Sequence, residues 1–284
     1  MKLLQMIFHS HRNKKNLILH KTPAHIADEK STGFPKWLLF AAIFAGQTML
    51  FATDFKLDWS QSSGQGDAVI LIHGLRGRPR SFTKMKQALV ESGYEVAIAD
   101  YPSTRYPIET LADSLMDKII TECRLRRKPH IHLVAHSLGC IMVRYYLQNQ
   151  LPSELGSVIF LAPPHQGTEL IDRLAWCGIV RRFNGPSGMQ LGVVENNLIQ
   201  SLQQPAFPFW VIMSRYSINP IASLLIPGKD DGRVSRRRAH LGGEQDFFMV
   251  NCHHHNIMKD YQTIALVRGI IKEDDSAADS SLNQ

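Results

Sequence analysis

The sequence predicts an α/β fold, a mostly parallel sheet with helices on both faces and a small cap insertion. Two observations carry this: short apolar runs alternate with longer segments of helical spacing from Ala68 onward, and each run is bounded by turn residues. A third is length, since 284 residues with 44% hydrophobic and 20% charged content suit one domain with a large core plus appendages.

The amino-terminal part stands apart. Residues 1–36 form a basic extension, with Lys2, Arg12, Lys14, Lys15, Lys21, Lys30 and Lys36 against Asp28 and Glu29. Most of the net charge of +7 therefore lies there, and the rest of the chain is too evenly balanced to predict a nucleic-acid surface. Residues 37–53, with Trp37 and Thr53 at its ends, form a hydrophobic segment interrupted by Gly46, Gln47 and Thr48. As a helix it reaches about 25 Å, slightly short of a ~30 Å hydrocarbon layer. The basic residues before it match an uncleaved signal anchor, which would make membrane contact and hold the remaining domain outside the cytoplasm. The alternatives are a cut after Ala52 and a helix packed against the domain.

The main domain is expected over 60–272. Runs at 68–72, 96–99, 131–135, 158–161, 209–213 and 247–250 are its strands; 81–92, 108–126 and 138–149 carry helical spacing, with Leu111, Leu115, Met116, Ile119 and Ile120 on one face. Gly93 and Pro129 punctuate helix ends. An insertion at about 168–206 places Leu170, Ile171, Leu174, Trp176, Ile179 and Phe183 at roughly helical spacing, as a cap over an apolar pocket or an ordinary packed helix would. The polar, acidic tail 273–284 is expected to be disordered. Cys123, Cys140, Cys177 and Cys252 are too scattered for a disulfide scaffold and read as mostly buried thiols.

The chemistry begins at Ile131-His132-Leu133-Val134-Ala135-His136-Ser137-Leu138-Gly139, an apolar strand that runs into a serine and then a helical pattern. This is the context of a nucleophile elbow, in which residues two positions either side must be small so that strand and helix approach closely. Alanine at 135, where glycine is usual, is still small. A serine in such a loop is by itself only a helix cap. Here the strand 68–72 ends in His73-Gly74-Leu75-Arg76-Gly77, where the N–H of Leu75 can join that of Leu138 as an oxyanion hole. His73 and His136 are read as structural.

A serine hydroxyl needs a histidine to take its proton and a carboxylate to hold that histidine's tautomer. In the order Ser, acid, His, the loop Lys229-Asp230-Asp231-Gly232-Arg233-Val234 offers Asp231, with Asp230 as runner-up and otherwise a loop cap. After the run 247–250 come His253, His254 and His255, which order alone does not separate. Adjacent side chains in extended chain point to opposite faces and no carboxylate follows at ligand spacing, so neither a metal nor a cofactor is expected.

These residues resemble bacterial α/β-hydrolases related to class 2 lipases and, more distantly, to GPI inositol-deacylases. The likeness covers about 68–271. Beyond the elbow it rests on Leu161-Ala162-Pro163-Pro164-His165-Gln166-Gly167-Thr168, on Gly185-Pro186-Ser187-Gly188-Met189-Gln190, and on Ile226-Pro227-Gly228-Lys229-Asp230-Asp231-Gly232. The group's His-x-x-Ile-Met pattern falls on His254 with Ile257 and Met258, and its acid falls on Asp231. Two departures, His165 in place of asparagine and Lys229-Asp230 in place of Pro-Asn, miss those positions. The resemblance implies an esterase or lipase acting on an apolar ester or lipid through Ser137, Asp231 and His254. The alternatives are an acyltransferase using the same acyl-enzyme and a non-enzymatic lipid-binding module.

Overall fold

Alternate side chains of a strand leave opposite faces of its sheet, so a strand covered on both sides is apolar at every position. The run Ala68–Ile72 (β2) is such a strand and is completely buried. A computed structural model describes residues 54–61, 66–193 and 197–282; the basic extension 1–36 and the hydrophobic segment 37–53 lie outside them. Among the described residues no helix is long and apolar enough to cross a membrane.

The other strands are Lys56–Trp59 (β1), Glu95–Asp100 (β3), Ile131–His136 (β4), Leu155–Leu161 (β5), Phe209–Tyr216 (β6) and Asp246–His253 (β7). They form one sheet in the order β1-β3-β2-β4-β5-β6-β7. Only β1 runs antiparallel to its neighbour. Ile70, Ile72, Leu133, Ala135 and Phe160 face the layer built by Ile108–Leu125 (α2) and Leu138–Leu147 (α3). Val69, Leu71, Val134, Ile159 and Ile212 face Thr83–Glu91 (α1) and Tyr261–Leu282 (α9). The stripe foreseen on α2, from Leu111 to Ile120, is buried. Each such large side chain contributes roughly 1.5–3 kcal/mol.

Two boundaries differ from expectation. The domain starts before residue 60, because Leu57 and Trp59 of β1 pack on the core and Trp59 Nε1 donates to Glu122 at 2.7 Å. The tail is helical to Leu282 rather than disordered from 273. Its charge is partnered: Ser157 Oγ donates to Asp274 at 2.7 Å, Tyr94 OH donates to Asp275 at 2.7 Å, and His132 Nε2 lies 3.1 Å from Asp275.

Between β5 and β6 the chain builds Glu169–Leu174 (α4), Gly178–Met189 (α5) and Asn197–Ser201 (α6). Further short helices, Pro220–Leu224 (α7) and Arg236–Ala239 (α8), follow β6. The single helical period expected from Leu170 to Phe183 is broken at Cys177, the N-cap of α5. Leu170 and Ile171 are buried, whereas Trp176 and Ile179 are 82% and 79% exposed. α5 kinks at Gly185 (φ 66°), where a Cβ would run into the Thr104 carbonyl. Ser187 Oγ donates to the Ser103 carbonyl nearby, so the kink clips the insertion to the loop after β3. Gly185→Ala combines a left-handed backbone with a backbone clash, and a loss of about 2 kcal/mol or more is expected in denaturant titration. An unchanged midpoint would show that the kink is not needed.

Candidate active site

The strand order reverses about β2 and β4, and a crevice opens at the carboxyl ends of strands at such a point. Ser137 sits there, between β4 and α3, at φ 53° and ψ −117°. Its small neighbours do what the sequence pattern required. Ala135 is buried in β4, and a Cβ on Gly139 would lie 2.9 Å from the His73 carbonyl oxygen. Arg76 and Ala162, just beyond β2 and β5, also have positive φ, so backbone strain gathers at this end of the sheet.

Three distant segments meet at the serine. His254 Nε2 lies 3.1 Å from Ser137 Oγ, and His254 Nδ1 lies 2.7 Å from Asp231 Oδ2. Asp231 is 2% exposed. Its Oδ2 also accepts from Ser214 Oγ at 2.6 Å, and its Oδ1 accepts the N–H groups of Arg233 at 3.1 Å and Val234 at 2.9 Å. Burial by itself would raise the pKa of this carboxyl; the His254 ring, with Ser214 and the Val234 amide, outweighs burial and holds it below the ordinary carboxylate value. An ionised Asp231 holds the proton of His254 on Nδ1 and leaves the Nε2 lone pair for the Ser137 hydroxyl.

The neighbouring candidates separate by geometry. Asp230 Oδ1 accepts from Ser223 Oγ at 2.8 Å and the Gly232 amide at 2.7 Å, a loop-capping role. His253 ends β7, and His255 is exposed on the rim of the cavity beside Ser137. His73 stacks on Tyr101 with ring centroids 4.2 Å apart. His136 closes β4, and its Nε2 donates to the His254 carbonyl at 3.1 Å. Burial, with His254 and His255 adding, keeps the pKa of His136 well below the usual histidine value, so it serves as a neutral tether on the loop carrying His254. Neither this tether nor the Ser214 brace was visible in the sequence. A hydrophobic strand position gives no sign that its one hydroxyl faces a carboxylate.

Leu138 is the first residue of α3, and first-turn N–H groups have no acceptor within their own helix. Leu75 lines the cavity after β2, and the next residue is pinned where the Arg76 N–H donates to Ser103 Oγ at 2.8 Å. The cavity itself is about 550 Å³, with Ser137 and His254 in its wall. Leu75, Leu170, Ile171, Phe183 and Leu191 supply apolar surface to it.

One carboxylate and histidine group lies elsewhere. Asp67, His132 and Asp275 bring potential ligand atoms within 4.8 Å of one another at the amino ends of β2 and β4, away from Ser137. The Ser157 N–H donates to His132 Nδ1 at 3.0 Å, which puts the ring proton on Nε2, facing the carboxylates. That proton occupies the position a metal would need, and the group fastens α9 instead.

Comparison with known proteins agrees with this architecture. A triacylglycerol lipase of Pseudomonas fragi is 32% identical over 111 residues, 37% of this chain and 37% of that lipase. The mature lipase of Bacillus licheniformis superposes with a TM-score of 0.67 at 16% identity, covering 76% of this chain and 98% of that one. Phospholipase PlaB of Legionella pneumophila gives 0.56 at 15% identity, with 74% and 63% covered. A monoacylglycerol lipase of Paleococcus ferrophilus gives 0.53 at 16% identity, with 78% and 98% covered. The model of the alpha/beta hydrolase fold family matches residues 67–210, which run from the strand before the Leu75 loop through the serine turn and the insertion. With a parallel sheet reversing beneath a serine held in a strained turn, this chain belongs to the α/β-hydrolase family.

Proposed function

We propose that the chain is a serine hydrolase of carboxylic esters whose acyl part is apolar. The observation that carries this reading is the hydrogen-bonded row from Ser137 Oγ through the His254 ring to the buried Asp231 carboxylate, at 3.1 and 2.7 Å. Ser137 Oγ attacks the acyl carbon while His254 Nε2 takes the hydroxyl proton. The carbonyl electron pair moves onto oxygen, and the N–H groups of Leu75 and Leu138 receive that oxyanion. Each such donor lowers the barrier by about 3–4 kcal/mol. When the intermediate collapses the ester C–O bond breaks, and the alcohol leaves with the proton from His254. Water then repeats the sequence on the acyl-serine, and the carboxylic acid is released. The apolar wall from Leu170, Ile171, Phe183 and Leu191 suits a hydrocarbon chain, consistent with the lipase names of the relatives.

The test is turnover of p-nitrophenyl esters of increasing chain length, together with labelling by a fluorophosphonate. Cleavage that improves with acyl length and a single label on Ser137 are expected. An absence of both cleavage and label ends the proposal.

A further inference from the structure

The cavity beside Ser137 is unequal in charge. Arg76, Arg78, Arg80, Arg233 and Lys259 line it, and among the described residues no aspartate or glutamate does. This is not the bulk composition, because residues 54–284 hold 25 basic and 23 acidic residues. The five cations come from three separate loops. Arg76, Arg78 and Arg80 follow β2, Arg233 follows Asp231, and Lys259 follows the segment carrying His254. Arg76 is already engaged, with its guanidinium 3.3 Å from the Phe183 ring centroid and Nη1 donating to the Phe183 carbonyl at 3.1 Å. Among the described residues, the side chains of Arg78, Arg80, Arg233 and Lys259 have no carboxylate within ion-pair distance. Asp231, the nearest acid in sequence to Arg233, acts on its charge only at a distance, because the carboxylate is buried and its oxygens accept from Ser214, His254 and the backbone N–H groups of Arg233 and Val234.

Much of the apolar lining has a different origin, although Leu75, Val234 and Met258 come from the cationic loops. Leu170, Ile171, Phe183 and Leu191 all come from the insertion between β5 and β6. The insertion thus offers hydrocarbon contact, and three loops supply exposed cations, of which Arg78, Arg80, Arg233 and Lys259 form no ion pair among the described residues. A ligand that satisfies both has an apolar chain and a compact anion joined near the bond that meets Ser137. Arginine side chains present forked donors that match the oxygens of a phosphate, and cations gathered from three loops can meet more than one face of a tetrahedral anion.

We infer that the ester cleaved at Ser137 carries a phosphate on its alcohol half, held by Arg78, Arg80, Arg233 and Lys259 while the acyl chain lies against the insertion. This rests on the ester-hydrolase reading for the bond that is cut, but the anion site is testable without cleavage. Calorimetric titration of the full chain with 1-O-octylglycerol 3-phosphate, an uncleavable ether, is expected to give at least about tenfold tighter binding than 1-O-octylglycerol. The preference should shrink as salt is raised. It should collapse in the Arg78→Ala/Arg233→Ala double variant and return in part with lysine at both positions, a pattern that misfolding would not produce.

Equal binding of the two ethers overturns the inference. So does a preference untouched by the double variant, one matched by an ether ending in a carboxylate, or one seen only with phosphatidylglycerol vesicles and never with these monomeric ligands. Hydrolysis of the matched 1-octanoyl esters separates the two readings. Phosphate-selective ether binding with neither ester cleaved removes the hydrolase proposal and supports the anion site; equal binding with both esters cleaved does the reverse.

Discussion

Ser137→Ala is expected to lower kcat/KM for any ester the parent cleaves by about 10⁴- to 10⁶-fold, the usual cost of removing the nucleophile from such a row. The fold should survive. Alanine keeps the Cβ and the same backbone turn, and among the described residues the only side-chain hydrogen bond removed is the one to His254 at 3.1 Å. Steady-state kinetics paired with thermal unfolding checks both halves. A variant with a parent-like midpoint and parent-like turnover would place the nucleophile elsewhere. A variant that loses cleavage but still binds the octyl ethers would show that the hydroxyl serves chemistry rather than recognition.

Asp231→Asn has the second largest expected effect, a fall of about 10⁴ in kcat, because an amide does not hold His254 in the tautomer that exposes Nε2. Asparagine also brings an N–H₂ group to a place where the carboxylate accepts four hydrogen bonds, so a buried donor then faces donors. The pH dependence has a definite sign. Asp231 is held below its ordinary value when folded, so its stabilisation is complete above the ordinary carboxylate value near 4 and is lost as pH falls through the lowered one. The parent should therefore lose melting temperature more steeply than Asp231→Asn on acidification below that point. Parallel curves would mean that Asp231 carries no folded-state shift.

How much of this was legible in the chain varied with the range of the signal. Each interior strand announced itself as a continuous apolar run, because helices cover both its faces and the side-chain alternation is hidden under uniform burial. β1 did not, since Lys56-Leu57-Asp58-Trp59 offers only two apolar residues and gains its place by pairing with β3. The serine was readable because its turn demands a strand, small neighbours and a helix within nine consecutive residues. Asp231 and His254 needed the order of the chain and, for the histidine, a resemblance, because three histidines in a row look alike until the loop folds. The tail looked disordered for a local reason, an excess of carboxylates, while its partners Tyr94, His132 and Ser157 lie more than a hundred residues away. The insertion misled by suggesting one amphipathic helix, where the break at Cys177 and the kink at Gly185 divide the chain, leaving Leu170 and Ile171 buried and Trp176 and Ile179 exposed.

The placement of α9 governs the order of assembly. Its Ile264, Val267, Ile270 and Ile271 cover sheet positions on β2, β4, β5 and β6, all of which leave the ribosome earlier. Throughout synthesis, then, a nascent chain with Ser137, Asp231 and His254 already translated still presents a broad greasy flank, and it stays open until α9 emerges. Premature stops ahead of Tyr261 should therefore yield a sticky species that chaperones retain or proteases clear, rather than a trimmed but folded domain.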